Sequence, residues 1–321
     1  MPSIKLKCGT VFNSSDSETI LDAAKKENLH IDYSCKDGRC GVCSTKLISG
    51  TTEIIQPEMY KNVSNELILT CCRKATSNIE IDSENLYQLK NITDKRSPSK
   101  IANIEFLSPE VVKLTLRFPP NTKLDFLAGQ YLSLIKGDIT RSYSIASKPN
   151  QENLILYIKK YKDGQMSDYI FNKAKIDDVL QVSLPKGTFF VRESSSKRNL
   201  VLMATGTGIA PFLGILDDYK STFENIYLFW GNRKIEDFFV DLKEKYTHLN
   251  LNYYMVTSRE KHDNFIGYIQ DKLFQTNINI DESSFYACGS IDMINELKNS
   301  IKAKSNKSCL EFYSDAFISS S

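Results

Sequence analysis

Residues 34–43 read SCKDGRCGVC, and residues 67–74 read LILTCCRK. Cys35, Cys40 and Cys43 thus stand at the spacing C-x4-C-x2-C, with Cys71 and Cys72 competing for a distant fourth position. Four thiolates at this spacing suit a [2Fe–2S] cluster. A structural zinc site is the bland alternative, but zinc knuckles use paired C-x2-C, and here only Cys40–Cys43 has that form. Gly38 and Gly41 lie inside the loop, where backbone amides can turn toward the sulfurs. Such a cluster moves one electron at a time, so the rest of the chain is read for what supplies or removes electrons. Cys8, Cys288 and Cys309 are not spaced as ligands. Cys8 and Cys309 are expected to be small core residues.

The chain has 321 residues, 41% apolar and 25% charged, with a net charge of +2. That length suggests two or three domains. The small net charge gives no electrostatic reason to expect nucleic acid or a membrane surface as partner. No apolar run reaches the roughly 18 residues of a spanning helix. MPSIKLKCGTVF lacks a signal-peptide pattern, so a cytoplasmic location is expected.

Three regions differ in character. Residues 4–12 alternate like a strand hairpin through Cys8-Gly9, and Ser15-Asp16-Ser17-Glu18 has the form of a capping box before a helix bearing Ile20, Leu21 and Ala24. With strands expected at Cys43–Leu47 and Ile79–Asp82, residues 1–92 make a small β-grasp domain. NITDKRSPSK, residues 91–100, reads as a linker. Residues 98–192 are strand-rich with turn residues between, which fits an antiparallel β-barrel. RESSSKR is a second polar connection. Residues 197–321 alternate apolar runs (NLVLMA, NIYLFW, NLNYYMV, SFYAC) with helical stretches, the pattern of a parallel, helix-covered α/β sheet.

Thr205-Gly206-Thr207-Gly208-Ile209-Ala210-Pro211 follows the strand NLVLMA and opens a helix. Such a turn admits a pyrophosphate to the backbone and to the positive end of a helix, and Pro211 suits the first helical turn. A tight strand–helix turn would look the same if taken alone. Gly231-Asn232-Arg233 and Ala287-Cys288-Gly289-Ser290 follow two further strands. Arg141-Ser142-Tyr143-Ser144, Tyr157-Ile158-Lys159-Lys160 and Gly164-Gln165-Met166-Ser167 come earlier, in that order. The chain ends with Ser314-Asp315-Ala316-Phe317 and four further residues.

In this order the motifs resemble the ferredoxin–NADP reductase superfamily with a fused N-terminal plant-type ferredoxin. Within it, YSCKDGRCGVC, ILTCCRKATSNIEID, LAGQY, RSYSIA, GTFFVRE, YACGS and FYSDAF are similar to the CDP-6-deoxy-Δ3,4-glucoseen reductases. The resemblance selects Cys71 as the fourth ligand and leaves Cys72 as a packing residue. It implies that Arg141 grips the phosphate of FAD, Tyr143 packs on its ring and Ser144 reaches the ring near N5. Ile158, Lys159, Gly164, Met166 and Ser167 complete the flavin site. Thr205, Gly206, Thr207, Gly208, Pro211, Arg233, Cys288 and Gly289 receive the pyridine nucleotide. Phe317 covers the flavin face, and Asp315 sits near the reacting rings. Thr205 stands where relatives commonly carry Gly, which is tolerable only at negative φ. NADH is the expected donor. Ser258, Arg259 and Tyr268 resemble the set that holds the 2′-phosphate of NADPH, so NADPH is a second candidate.

The implied function is electron transfer from NAD(P)H through FAD and the cluster to a redox partner protein. The resemblance points to an iron–sulfur dehydrase of CDP-3,6-dideoxyhexose biosynthesis. The reductase of a Rieske or diiron oxygenase is the alternative, and a non-enzymatic metal-binding or adaptor module is the alternative of another class. Residues 1–92 carry 11 Lys and Arg against 12 Asp and Glu. Lys36, Arg39, Arg73 and Lys74 flank the cysteines and are expected to form a basic rim for an acidic partner.

Overall fold

The computed structural model describes residues 1–60, 66–219, 223–263, 265–307 and 310–317. They form two compact units, Met1–Ile92 and Thr93–Phe317.

In the first unit, β1 (Ser3–Leu6) and β2 (Val11–Asn13) form the expected hairpin. They are followed by α1 (Ile20–Lys26), β3 (Ser44–Ser49), β4 (Thr52–Ile54), β5 (Leu67–Leu69), β6 (Arg73–Ala75) and β7 (Ile79–Ile81). The main sheet runs β2-β1-β7-β3-β5, with β4 and β6 paired beside it. Ile4, Leu6, Leu21, Ile79 and Ile81 are buried between sheet and helix. The helix begins later than the capping-box pattern suggests. Glu18 does reach back to the Ser15 amide at 2.7 Å, but Thr19 is the cap and accepts from Asp22 N at 3.0 Å. Cys8 is not a core residue. It sits exposed at the hairpin turn, its Sγ 3.3 Å from Thr10 Oγ1, because a turn tip has no sheet face to pack against. Cys309 lies outside the described residues.

The second unit starts inside the segment expected to be a linker. β8 (Lys95–Ser108) already includes Pro98. A proline is tolerated there because β8 pairs with β13 (Val179–Lys186) through Gln181 opposite Pro98, whereas its pairing with β9 (Val111–Arg117) begins only at Lys100. One side of the strand is thus unladdered at the residue that lacks an N–H. With β10 (Tyr131–Lys136), β11 (Ile139–Ser144), β12 (Asn153–Lys159) and α2 (Gln165–Asn172), the order is β11-β10-β13-β8-β9-β12, all antiparallel. The open edges of β11 and β12 approach just beyond β11, where Ala146 N donates to Ile155 O at 2.9 Å. That is the barrel-like sheet expected.

Beyond it lie β14 (Asn199–Thr205), α3 (Ala210–Asp217), β15 (Asn225–Asn232), α4 (Leu242–Lys245), β16 (Leu251–Thr257), α5 (Ile269–Phe274), β17 (Ser283–Ser290), α6 (Ile291–Lys304) and β18 (Phe312–Phe317). The sheet is parallel throughout, in the order β16-β15-β14-β17-β18. Leu200, Val201, Leu202, Met203 and Ala204 are all fully buried, since helices cover both faces of the central strand. A Leu202→Ala cavity there would cost about 2–5 kcal/mol. Phe189, at the end of the barrel, packs on Phe212 and Tyr286 of the parallel-sheet region, so the two sheets share a core.

Candidate functional site

The four cysteines meet as two pairs. Cys43 Sγ lies 3.3 Å from Cys71 Sγ. Cys40 hydrogen-bonds Cys35, and this holds the Cys35 thiol below its usual range while the Cys40 thiol is pushed up. In the same way the bond from Cys43 brings Cys71 down to about 7. The Gly38 amide also donates to Cys71. Among the described residues no three such ligands converge on a single ion position. Two adjacent pairs are instead what a two-iron cluster needs, and Cys35, Cys40, Cys43 and Cys71 fit it. Cys72 is fully buried, with its Sγ turned 3.5 Å from Pro57 O.

The basic rim is largely neutralised by the chain itself. Arg39 pairs with Asp37, Arg73 binds Glu58 through Nε at 2.7 Å and Nη2 at 2.9 Å, and Lys74 meets Glu53 at 3.1 Å. Lys36 stands 4.8 Å from the centre of the Tyr33 ring.

In the second unit, the barrel edges part on the far side of the Ala146–Ile155 bond. Arg141, Tyr143 and Ser144 lie on β11, and Ile158 and Lys159 on β12; no ladder joins these strands among the described residues. These residues, expected to hold a flavin, thus stand on the two unpaired edges. Arg141 and Tyr143 share one face of β11 and Ser144 the other. Arg141 Nη1 donates to Thr140 O at 2.8 Å, and Lys159 lies 3.7 Å from Glu110. Burial pushes the Tyr143 phenol up, which keeps it neutral. Gly164 caps α2. Ser167 does not present a free hydroxyl, because its Oγ bonds Gly164 O at 2.9 Å and accepts from Tyr161 N at 3.2 Å. The side chains of Ile158 and Met166 are in the barrel core. These three residues can meet a ligand only through their backbone, at α2 through the unpaired amides of its first turn.

A cleft of about 750 Å³ gathers the nucleotide residues. Thr205, Gly206, Thr207, Arg233, Ser258, Arg259, Tyr268, Gly289 and Phe317 all line it. Gly208, Pro211 and Cys288 do not. Pro211 lies in the first turn of α3, and a Cβ on Gly208 would overlap the carbonyl of Cys288, so this glycine serves close packing of loop on strand. Thr205 has φ −124°, in the allowed region its side chain requires. Gly206 has φ +54°, and the space where its Cβ would point is open. That empty cradle beside a strand–helix turn suits a pyrophosphate.

The end of the chain joins the two sheets. In β18, Asp315 is in register with Cys288 and Phe317 with Ser290. Asp315 Oδ2 is 3.5 Å from Ser144 Oγ on the barrel strand. Both residues are buried, and burial together with Asp315 raises the Cys288 thiol well above its usual value. Sequence reading missed Trp230 and Phe239. Asn232 and Phe239 line the cleft, and the Trp230 indole donates to Gly206 O at 2.9 Å. Trp230 directly precedes the motif Gly231-Asn232-Arg233 and could have been flagged with it; nothing in the sequence marks Phe239.

Family models match in the same order: the 2Fe-2S iron-sulfur cluster binding domain over residues 6–76, the oxidoreductase FAD-binding domain over 98–191 and the oxidoreductase NAD-binding domain over 202–299. The chain is 36% identical to the CDP-6-deoxy-L-threo-D-glycero-4-hexulose-3-dehydrase reductase of Yersinia pestis, over 97% of each chain. It is 33% identical to Protein RfbI of Salmonella typhimurium, over 96% of this chain and 94% of the relative. Reductase component 2 of the terephthalate 1,2-dioxygenase of a Comamonas species is 31% identical over 69% of this chain and 67% of the relative. Among solved structures, the Amycolatopsis cytochrome P450 reductase GcoB superposes with a TM-score of 0.71 over 99% of both chains, at 19% identity, a likeness of fold. The chain therefore belongs to the family of NAD(P)H-dependent oxidoreductases, within the ferredoxin–NADP reductase superfamily, that fuse a [2Fe–2S] ferredoxin domain to FAD- and NAD-binding domains.

Proposed function

We propose that this reductase delivers electrons to an iron–sulfur dehydrase acting on a CDP-4-keto-6-deoxyhexose, on the route to 3,6-dideoxyhexoses. The observation that carries the reading is the 36% identity, along 97% of both chains, to a reductase named for such a dehydrase. When bound, FAD accepts an electron pair from the nicotinamide and the cluster takes electrons singly.

The residues have the following parts. Cys35, Cys40, Cys43 and Cys71 would hold the cluster. Arg141 and the first amides of α2 would receive the flavin pyrophosphate, with Tyr143 against the ring. Ser144 and Asp315, both buried, would hold a proton beside the ring through their hydroxyl and carboxylate. Thr205, Gly206 and Thr207 would bind the nucleotide pyrophosphate. Arg233, Ser258, Arg259 and Tyr268 would take its adenosine end, where two guanidinium groups also suit a 2′-phosphate. Phe317 would shield the flavin until the nicotinamide displaces it. In this scheme the modules are residues 1–92, 98–192 and 197–321.

The test mixes the reductase with the dehydrase, its CDP-sugar substrate and NADH or NADPH, and follows nucleotide oxidation and loss of the C3 hydroxyl. Substrate-dependent turnover supports the reading; free reduction of ferricyanide without any dehydrase turnover sinks it. A second reading, an oxygenase reductase component, rests on the terephthalate dioxygenase relative and is tested by replacing the dehydrase with a Rieske oxygenase.

A further inference from the structure

Trp230 is the only tryptophan of the chain and is fully buried at the end of β15, in the core beneath the nucleotide loop. Its ring is held edge-on by Phe238 and Phe239, with centroids at 5.0 and 5.1 Å. Its one polar atom, Nε1, donates to Gly206 O at 2.9 Å.

That bond has a geometric consequence. In a trans peptide unit the carbonyl and the following N–H point in opposite directions. The carbonyl of Gly206 is turned inward to the indole, so the N–H of Thr207, in the same peptide plane, is turned away from the core. Gly206 and Thr207 both line the cleft, and nothing lies within 4 Å of the position a Gly206 Cβ would take. Away from the core is therefore into the cleft. We infer that Trp230 is a positioning residue for nucleotide binding, and that its indole locks the Gly206–Thr207 peptide with the amide presented to the pyrophosphate. A flip of that plane would present a carbonyl dipole to an anion instead and leave the indole N–H buried without a partner, which is costly. Glycine at 206 makes both orientations sterically accessible, and the indole bond adds to the short 3-10 turn Gly206–Ile209 in holding the observed one.

The inference rests on the reading of the cleft as the nucleotide site. It is tested on the holoenzyme by steady-state reduction of ferricyanide with NADH and NADPH. Trp230→Phe keeps an aromatic ring and removes the donor; Phe238→Leu removes packing from the same indole and leaves the bond. For Trp230→Phe, KM for the nucleotide should rise about tenfold while kcat at saturation stays within about twofold. Phe238→Leu should lower the melting temperature without moving KM. A folded Trp230→Phe enzyme with unchanged KM overturns the inference, and so does an equal rise in both variants, which would assign the effect to packing. A wild type that oxidises neither nucleotide overturns the reductase reading and the inference with it. Should Trp230→Phe not fold, the wild-type enzyme decides. Labelled with ¹⁵N at tryptophan, it gives a single indole signal, which should resist exchange with deuterium and shift on addition of NAD⁺. A signal that stays in place at saturating NAD⁺ overturns the inference.

Discussion

Ser144 and Asp315 stand 171 positions apart in the chain, and their Oγ and Oδ2 atoms lie 3.5 Å apart. The contact is long for a hydrogen bond, so the hydroxyl is free to turn toward a bound ring without leaving a strong partner behind. Both side chains are nearly excluded from water, where a carboxylate and a hydroxyl act on a developing charge with little screening. Asp315→Asn is expected to slow flavin reduction by NADH about 100-fold while nucleotide KM changes by no more than a few-fold. Stopped-flow bleaching of the flavin band measures both; a rate within twofold of wild type would remove Asp315 from the chemistry.

Phe317 lines the nucleotide cleft at the end of β18. On the proposed reading, a nicotinamide that stacks on the flavin would have to displace this ring, and the lost stacking would oppose binding. Phe317→Ser should therefore tighten NADP⁺ or NAD⁺ binding by about tenfold, the equivalent of one aromatic contact. Turnover should fall, because the product leaves more slowly. Equilibrium titration and kcat are read together; weaker binding would mean that Phe317 supports the nucleotide rather than competing with it.

The two adjacent cysteines, whose Sγ atoms lie 3.6 Å apart, differ in their other neighbours. Cys71 is paired with Cys43, while Cys72 Sγ faces the Pro57 carbonyl. Cys71→Ala should eliminate the iron–sulfur absorbance and bring bound iron to near zero, with flavin content retained. Cys72→Ala should keep two irons per chain. The reverse result would exchange the ligand assignment.

Much of this was legible because the chemistry needs fixed spacings. Cys35, Cys40 and Cys43 are locked together by one short loop, and Thr205–Pro211 is announced by the fully apolar strand before it. The places where the sequence misled share a different cause. Pro98 looked like a breaker because sequence does not show that one side of β8 is unpaired at that point. Cys8 looked like a core residue because residue type does not reveal a turn tip. Trp230 went unnoticed, since a hydrogen bond to a carbonyl 24 residues away leaves no local signature. Arg39, Arg73 and Lys74 read as free cations, while their carboxylates come from neighbouring loop and strand positions.

Those ion pairs change what is expected of the partner. Cations already matched by Asp37, Glu58 and Glu53 contribute little long-range attraction. Electron delivery to the dehydrase should vary less than about threefold between roughly 20 and 200 mM salt. A fall of tenfold or more would restore the basic rim and an acidic docking face on the partner.

On the proposed reading, nucleotide choice would fall to Arg233, Ser258 and Arg259 of the cleft. Ser258 and Arg259 follow β16, and the Arg259 amide donates to the Arg233 carbonyl at 3.0 Å, which brings the two arginine backbones together at the cleft. Both arginine side chains are exposed. Guanidinium groups discriminate strongly in favour of a phosphate dianion and weakly between neutral riboses. Arg259→Ala should therefore raise KM for NADPH by about 10-fold or more, as expected for a lost charge-assisted bond, and change KM for NADH less than about twofold. The two nucleotides also give different ionic-strength responses, because only the NADPH contact involves an extra pair of charges, and it is screened by salt. If Arg259→Ala affects NADH and NADPH equally, the guanidinium is acting on the shared adenine or ribose, and the preference must be set by other residues of the cleft.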